Sequence, residues 1–226
     1  MRTLTAPALN ELLHSSPVEP YPYTKSFEDA CHDPCLVLHT TGSTGLPKPV
    51  VWKNGMLATY EAWRLVTSVG NYVATTEVYQ QATRAYTSTP LFHTSGINAA
   101  VAWALYLGVT LVYRDPNVPP NAAYGARMHQ FATETANLPR LSPAPEDWEY
   151  FYWYPTHSGI ELRPDPDGDS ALHELVIVRW DPDLEPFQGV FYAFPELCEW
   201  SMNDLYDRHP TKPFLWRYCG RRDGAC

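Results

Sequence analysis

Basic residues are scarce in this chain. Its 226 residues hold 16 Lys+Arg against 25 Asp+Glu, a formal net charge of −9. A broad electrostatic attraction to nucleic acid or to an anionic membrane surface is therefore not expected. Long apolar runs are missing too. No window reaches the roughly 20 residues of a membrane-spanning helix, and the apolar run at Met1–Leu9 is too short for a secretory signal. Cysteines are few. The five present (Cys31, Cys35, Cys198, Cys219 and Cys226) are an odd set without framework spacing. That pattern excludes a disulfide scaffold and fits reduced thiols in a cytoplasmic protein. Cys31-His32-Asp33-Pro34-Cys35 has the donors for half a zinc site, but no second ligand pair of suitable spacing accompanies it. No metal is expected there. Low-complexity tracts and internal repeats are also missing, and the 22 prolines are scattered as turn and edge signals. What is plentiful is apolar surface. Hydrophobic residues make up 45% and aromatics 14%, enough for a core in one sizeable domain or a large piece of a bigger one.

Residues 1–35 read as a leader with a short helix around Leu9–His14 and a proline- and tyrosine-rich extended piece. Asn54 is a candidate N-cap for a helix through Val69, with Met56, Leu57, Tyr60, Trp63 and Val66 on one side and Gly70 at the C-cap. The run Ala85–Gly96 reads as a strand turning into a loop. Ser95 is a candidate cap for an apolar helix over Ile97–Leu107 that stops at Gly108, and Val109–Tyr113 follows as a buried strand. This strand–helix–strand order predicts an α/β layer over residues 1–115. The pattern fails at Asp115-Pro-Asn-Val-Pro-Pro-Asn121, a turn-rich connector. Beyond Trp148 short strands are predicted at Tyr150–Tyr154, Gly159–Arg163, Glu174–Trp180 and Gly189–Phe194, separated by proline, aspartate and glycine. Residues 126–226 thus read as an antiparallel β subdomain.

The densest chemistry lies at Leu36–Trp52. Six consecutive positions hold four hydroxyl residues (Thr40, Thr41, Ser43, Thr44) and two glycines (Gly42, Gly45), between two β-branched runs and with Lys48 following. Glycines let backbone N–H groups approach an anion, hydroxyls add donors and the lysine adds a point charge. A strand, a donor-rich loop and a strand in this order point to a polyphosphate. A P-loop needs its lysine next to the last glycine and a helix behind it. Here Lys48 lies three residues beyond Gly45 between Pro47 and Pro49, which disfavours a helix running through it.

Thr40-Thr-Gly-Ser-Thr-Gly-Leu-Pro-Lys48 resembles the phosphate loop of the adenylate-forming superfamily of acyl-CoA synthetases, luciferases and nonribosomal peptide synthetase adenylation domains. In wording it is most similar to fungal adenylate-forming reductases and synthetase-like proteins. Further segments match in the family's order. Pro90-Leu-Phe-His-Thr-Ser-Gly96 resembles the segment bordering the carboxylate substrate, which implies substrate binding by His93. Ala132-Thr-Glu-Thr-Ala136 resembles the motif whose threonine contacts the α-phosphate and whose glutamate binds magnesium, roles that fall to Thr133 and Glu134. Ser201–Leu205 resembles the segment whose aspartate holds the ribose hydroxyls, here Asp204. Gly220-Arg-Arg-Asp223 resembles the hinge ahead of a small second domain, with Arg221 on ribose and Asp223 as pivot.

The resemblance implies a partial large N-terminal domain of the adenylate-forming fold and ATP-dependent activation of a small carboxylic acid. Loop residues and Lys48 would hold the outer phosphates, Mg²⁺ would sit on Glu134, and the acyl group would pass to a coenzyme A or carrier-domain phosphopantetheine thiol, in fungal secondary metabolism. Histidine at position 93, where amino-acid-activating relatives place an aspartate, implies an aryl or aliphatic acid without an α-ammonium. The chain also departs from the family pattern. Gln130 and Phe131 stand where an aromatic and a glycine are usual, and Tyr124-Gly-Ala126 resembles that pair displaced upstream. By comparison with the family, further segments are expected ahead of Met1, between about Asp115 and Gly125, and after Asp223. The alternative expectation is a catalytically impaired fragment or remnant of such an enzyme, at most nucleotide-binding.

Overall fold

The computed structural model describes residues 5, 7–14, 16–17, 19–40, 46–87, 90–91, 93–113, 138–165, 168, 171–180 and 186–222. Thr41, Gly42, Ser43, Thr44, Gly45, Thr133, Glu134 and Asp223, together with the connector, lie outside them.

The short helix α1 (Leu9–His14) forms where the sequence places it. Helix α2 (Phe27–Ala30) is capped by Ser26, whose hydroxyl accepts from the Asp29 N–H. Strands β1 (Pro34–Thr40) and β2 (Lys48–Lys53) pair antiparallel, with Leu36 opposite Trp52, Leu38 opposite Val50 and Thr40 opposite Lys48. Period-two alternation puts these six residues on one face. Leu38, Val50 and Trp52 are buried there against Met56 of α3 (Asn54–Ala62) and Tyr192. Burying a side chain such as Met56 stabilises by about 1.5–3 kcal/mol. Gly55 is required at this contact, because a Cβ there would stand 2.1 Å from the Tyr192 ring.

Helix α3 ends sooner than its apolar pattern suggests. Asn54 is its first residue, with its side-chain amide donating to the Ala30 carbonyl, and the cap position falls on Lys53. A 3₁₀ turn covers Trp63–Leu65, and Val66 is already extended. Glu77 explains the early stop. It accepts from both the N–H and the hydroxyl of Ser68, drawing the chain into a turn that closes at Val69–Tyr72 with Gly70 at φ 58°. The buried side holds Met56, Tyr60, Trp63 and Val66 as expected, while Leu57 is only half-buried.

Strand β3 (Val73–Ala74) leads into α4 (Thr75–Gln81), and β4 (Arg84–Thr87) follows. Helix α5 (Thr94–Asn98) continues with π-type bonding over Ala99–Tyr106, and β5 (Thr110–Tyr113) then pairs parallel with β4. The expected strand–helix–strand unit is present. Burial of the second strand is not. Val112 is 42% and Tyr113 48% exposed, because β4 and β5 form a sheet of only two strands among the described residues.

The larger sheet is antiparallel throughout, in the order β3-β6-β7-β11-β10-β9-β8. Its remaining strands are β6 (Arg140–Ser142), β7 (Tyr150–Trp153), β8 (Ile160–Pro164), β9 (Leu172–Val178), β10 (Glu199–Arg208) and β11 (Trp216–Arg221). The strands predicted near Tyr150, Gly159 and Glu174 are found, the last shifted two residues toward the N-terminus. Gly189–Phe194 is not a strand. It contains the short helix α6 (Val190–Ala193), whose single turn buries side chains both ways. Val190 and Phe191 join Leu175, Ile177 and Tyr206 in the sheet core, while Tyr192 covers the β1–β2 hairpin. Helix α6 therefore seats the hairpin on the sheet. No described helix is long and apolar enough to cross a membrane.

Candidate functional site

Two residue pairs implied by the sequence come together as pairs. The first is Thr40 and Lys48, directly opposite at the loop end of the β1–β2 hairpin. Both lie on the side that carries Leu38, Val50 and Trp52, so the hairpin's buried half aims them. Lys48 is exposed and Thr40 half-buried. A ligand at this end of the two strands would meet an ammonium on one strand and a hydroxyl on the other.

The second pair is Asp204 and Arg221, opposite each other on β10 and β11. Both strands are irregular at this level. On β10 the register against β9 jumps between Ser201 and Leu205, and Asn203 takes a left-handed φ of 57°. On β11 an extra residue is accommodated near Gly220, at φ 116°. Bulges of this kind re-aim side chains and cluster next to functional sites. Asp204 is buried and Arg221 exposed, on neighbouring strands at the same level of the sheet. A carboxylate accepting from two vicinal hydroxyls is the chemistry that holds a ribose.

The sequence reading missed the network that fixes this bulge. The Arg222 N–H donates to the Asn203 carbonyl at 2.8 Å. Its guanidinium reaches Asp165 Oδ1 at 2.9 Å and Glu174 Oε2 at 2.8 Å, both carboxylates being nearly buried. Glu174 in turn accepts from the Ser201 hydroxyl. One guanidinium thus ties β9, β10, β11 and the β8–β9 connection around Asn203. Asparagine tolerance of the left-handed region was one available signal. The buried carboxylates had none, since Glu174 sits in an apolar run and Asp165 in a proline-rich turn.

His93 stands apart from both pairs. It takes the N-cap position of α5 in place of Ser95, and its Nδ1 accepts from the Ser95 N–H at 3.3 Å and lies 2.8 Å from the Ser95 hydroxyl. Imidazole serves as the cap because Ser95 is already inside the helix, with its hydroxyl turned back to the ring. With Nδ1 accepting, the neutral tautomer carries its proton on Nε2. His93→Ala is expected to cost about 1 kcal/mol through loss of the cap, with His93→Asn recovering most of it. Urea unfolding midpoints of the three proteins check this, and an unchanged midpoint in the alanine variant would argue against the capping role.

Both cysteines of the Cys31–Cys35 segment donate to backbone carbonyls. Cys31 Sγ donates to the Glu28 carbonyl and Cys35 Sγ to the Trp52 carbonyl. Burial pushes the Cys35 thiol up from its ordinary value, which keeps it a poor nucleophile.

Residues 4–138 match the AMP-binding enzyme family. The chain is 29% identical over 284 aligned positions to the isocyanide synthase-NRPS hybrid crmA of Aspergillus fumigatus, covering 99% of this chain and 18% of that protein. It is 31% identical over 271 positions to a carboxylic acid reductase of Neurospora crassa, covering 91% of this chain and 25% of that protein. The chain thus spans about a fifth to a quarter of the length of these fungal relatives. Both alignments are longer than the 226-residue chain, so each relative carries residues with no counterpart here. The N-terminal domain of FACL13 from Mycobacterium tuberculosis shares the fold, with a TM-score of 0.56 at 14% identity over 94% of this chain and 65% of that one. A donor-rich hairpin end, a bulged Asp–Arg pair, a mixed α/β architecture and a family match over more than half its length lead to one conclusion: the chain belongs to the AMP-binding enzyme family.

Proposed function

We propose that this chain holds ATP for the activation of a carboxylic acid as its acyl-adenylate. The observation that carries the reading is the pairing of Thr40 with Lys48 at the end of the hairpin. It brackets a Gly/Ser/Thr loop with an ammonium and a hydroxyl, a set suited to β- and γ-phosphates. Asp204 would accept from the ribose hydroxyls, with Arg221 beside it. The exposed His93 presents an Nε2–H donor suited to a carboxylate oxygen, which favours an aryl or aliphatic acid lacking an α-ammonium.

In the reaction the substrate carboxylate attacks the α-phosphorus, an acyl–phosphate bond forms, and pyrophosphate leaves. Lys48 and the loop donors would balance the charge building on the departing oxygens, a role of positioning and electrostatics. Magnesium on Glu134, a ligand type that suits it, would supply further charge neutralisation, and Thr133 would meet the α-phosphate. The acyl group would then go to a thiol, either coenzyme A or the phosphopantetheine of a carrier domain. A cytoplasmic place in fungal secondary metabolism fits this chemistry.

A second reading is an impaired remnant that at most binds nucleotide. The exposed β4–β5 pair favours it, because parallel strands are normally covered on both faces. Calorimetric titration with ATP and with adenosine separates the contacts. Lys48→Ala is expected to weaken ATP binding about 10- to 100-fold, the worth of one charged hydrogen bond, and to leave adenosine unchanged. Asp204→Asn should weaken both ligands. Equal loss of adenosine in the Lys48 variant would sink the assignment.

A further inference from the structure

A small cavity lies between α3, α4, the Ala99–Tyr106 helix and the start of β6, lined by Tyr60, Trp63, Thr75, Tyr79, Trp103 and Arg140. The space open to the centre of a water-sized body is about 20 Å³, room for a group of very few atoms. None of Thr40, Lys48, His93, Asp204 or Arg221 lines it.

Two buried nitrogens on these lining residues, Trp63 Nε1 and Arg140 Nη2, have no hydrogen-bond partner. Both belong to groups that donate and never accept. Three of the hydroxyls around them already donate to other groups. Thr75 Oγ1 donates to the Arg140 carbonyl at 3.1 Å, Thr76 Oγ1 donates to the Trp63 carbonyl at 3.2 Å, and the Tyr60 hydroxyl donates to Asn98 Oδ1. Arg140 is only 9% exposed. Its surroundings are the phenols of Tyr79 and Tyr206 and the Phe151 ring, 5.5 Å from the guanidinium carbon, with no described carboxylate among them. Burial lowers its pKa to about 10, which still leaves it cationic at neutral pH.

A buried cation without a counter-charge is strongly unfavourable, and unsatisfied buried donors in native proteins commonly mark a missing water or ion. A water molecule can accept from both donors but leaves the charge unbalanced. An acceptor-only anion answers both needs. We propose that Trp63 Nε1 and Arg140 Nη2 form a site for a small monovalent anion, of the size of chloride or formate, inside the cavity between α3, α4 and β6. Occupancy would tie the helical layer to the first strands of the large sheet. This proposal is independent of the ATP reading, since it uses none of the same side chains.

The test is ¹³C-formate line broadening by the full chain, together with thermal unfolding in sodium formate, chloride and benzoate at matched ionic strength against sodium HEPES. Formate is expected to broaden, and a parallel chloride titration shows whether the halide competes for the same place. A single-site ligand at about five times its dissociation constant should raise the unfolding midpoint by about 2–4 °C, while benzoate, too large to enter, should leave it unchanged. Arg140→Met, which replaces the charge with an apolar chain, should abolish both effects. Trp63→Phe, a milder change that keeps the packing, should weaken formate about 2- to 10-fold. Absence of broadening with the wild-type chain, or broadening that persists undiminished in both variants, would overturn the site and leave the cavity to water.

Discussion

Replacing Arg222 with methionine is expected to cost the fold about 3–5 kcal/mol, the usual penalty for removing one partner of a buried ion pair. The reason is geometric. Asp165 and Glu174 keep only 6% and 10% of their side-chain surface, and Arg222 reaches both. Without it two carboxylates face each other with little water to screen them. The loss also reaches the candidate ribose pair, because the guanidinium anchors the residue whose backbone N–H holds the Asn203 carbonyl at the bulge beside Asp204 and Arg221. Urea unfolding followed by far-UV circular dichroism measures the stability, and adenosine titration measures the site. Replacing Glu174 and Asp165 together with Arg222 by apolar residues should recover most of the stability but not the adenosine affinity, since the bulge would then lack its charged clamp. A single Arg222→Met variant within 1 kcal/mol of wild type would mean the cluster is solvated and holds nothing.

This cluster also shows where the sequence stops being informative. The hairpin was legible because its evidence is local: apolar alternation on both sides of a Gly/Ser/Thr loop makes β1 and β2 pair in almost any context. Lys48 and Thr40 follow from that register alone. The β4–α5–β5 unit was legible for the same reason. Asp204 and Arg221 were legible only through resemblance, since an isolated aspartate in a polar segment carries no periodic signal. Arg222, Glu174 and Asp165 are brought together across 57 residues of chain by sheet topology, which no local pattern encodes. The errors have the same root. Gly189–Phe194 alternates like a strand, yet Val190, Phe191 and Tyr192 must face two different cores at once, which a helical turn allows. Val109–Tyr113 has the composition of a buried strand, and its exposure reflects which neighbours are present rather than anything in its own residues.

That exposure bears on the largest expected effect. The isolated 226-residue polypeptide should bind ATP but exchange pyrophosphate into it at least about a thousandfold more slowly than a typical enzyme turning over at ~10 per second. Lys48, His93 and Arg221 are all solvent-exposed. Two unit charges 4 Å apart attract by about 1 kcal/mol in water and about 4 kcal/mol where protein partly excludes it. A difference of ~3 kcal/mol in charge stabilisation alone is worth more than two powers of ten in rate. Imperfect placement of an acid beside an open helix end adds a further factor, since an error of about 1 Å costs on the order of a hundredfold. Covering the β4–β5 face and closing the site with the additional residues carried by the longer relatives should restore both terms. The measurement is ATP–pyrophosphate exchange by the isolated chain and by a longer polypeptide that includes those residues, across a panel of aryl and aliphatic acids. Adenosine and ATP titrations run alongside show that the short form is folded and loaded. Exchange by the short form at about one per second would mean that Lys48, His93 and Arg221 already act at full strength in the short form. The site would then have to be far better shielded than their exposure indicates.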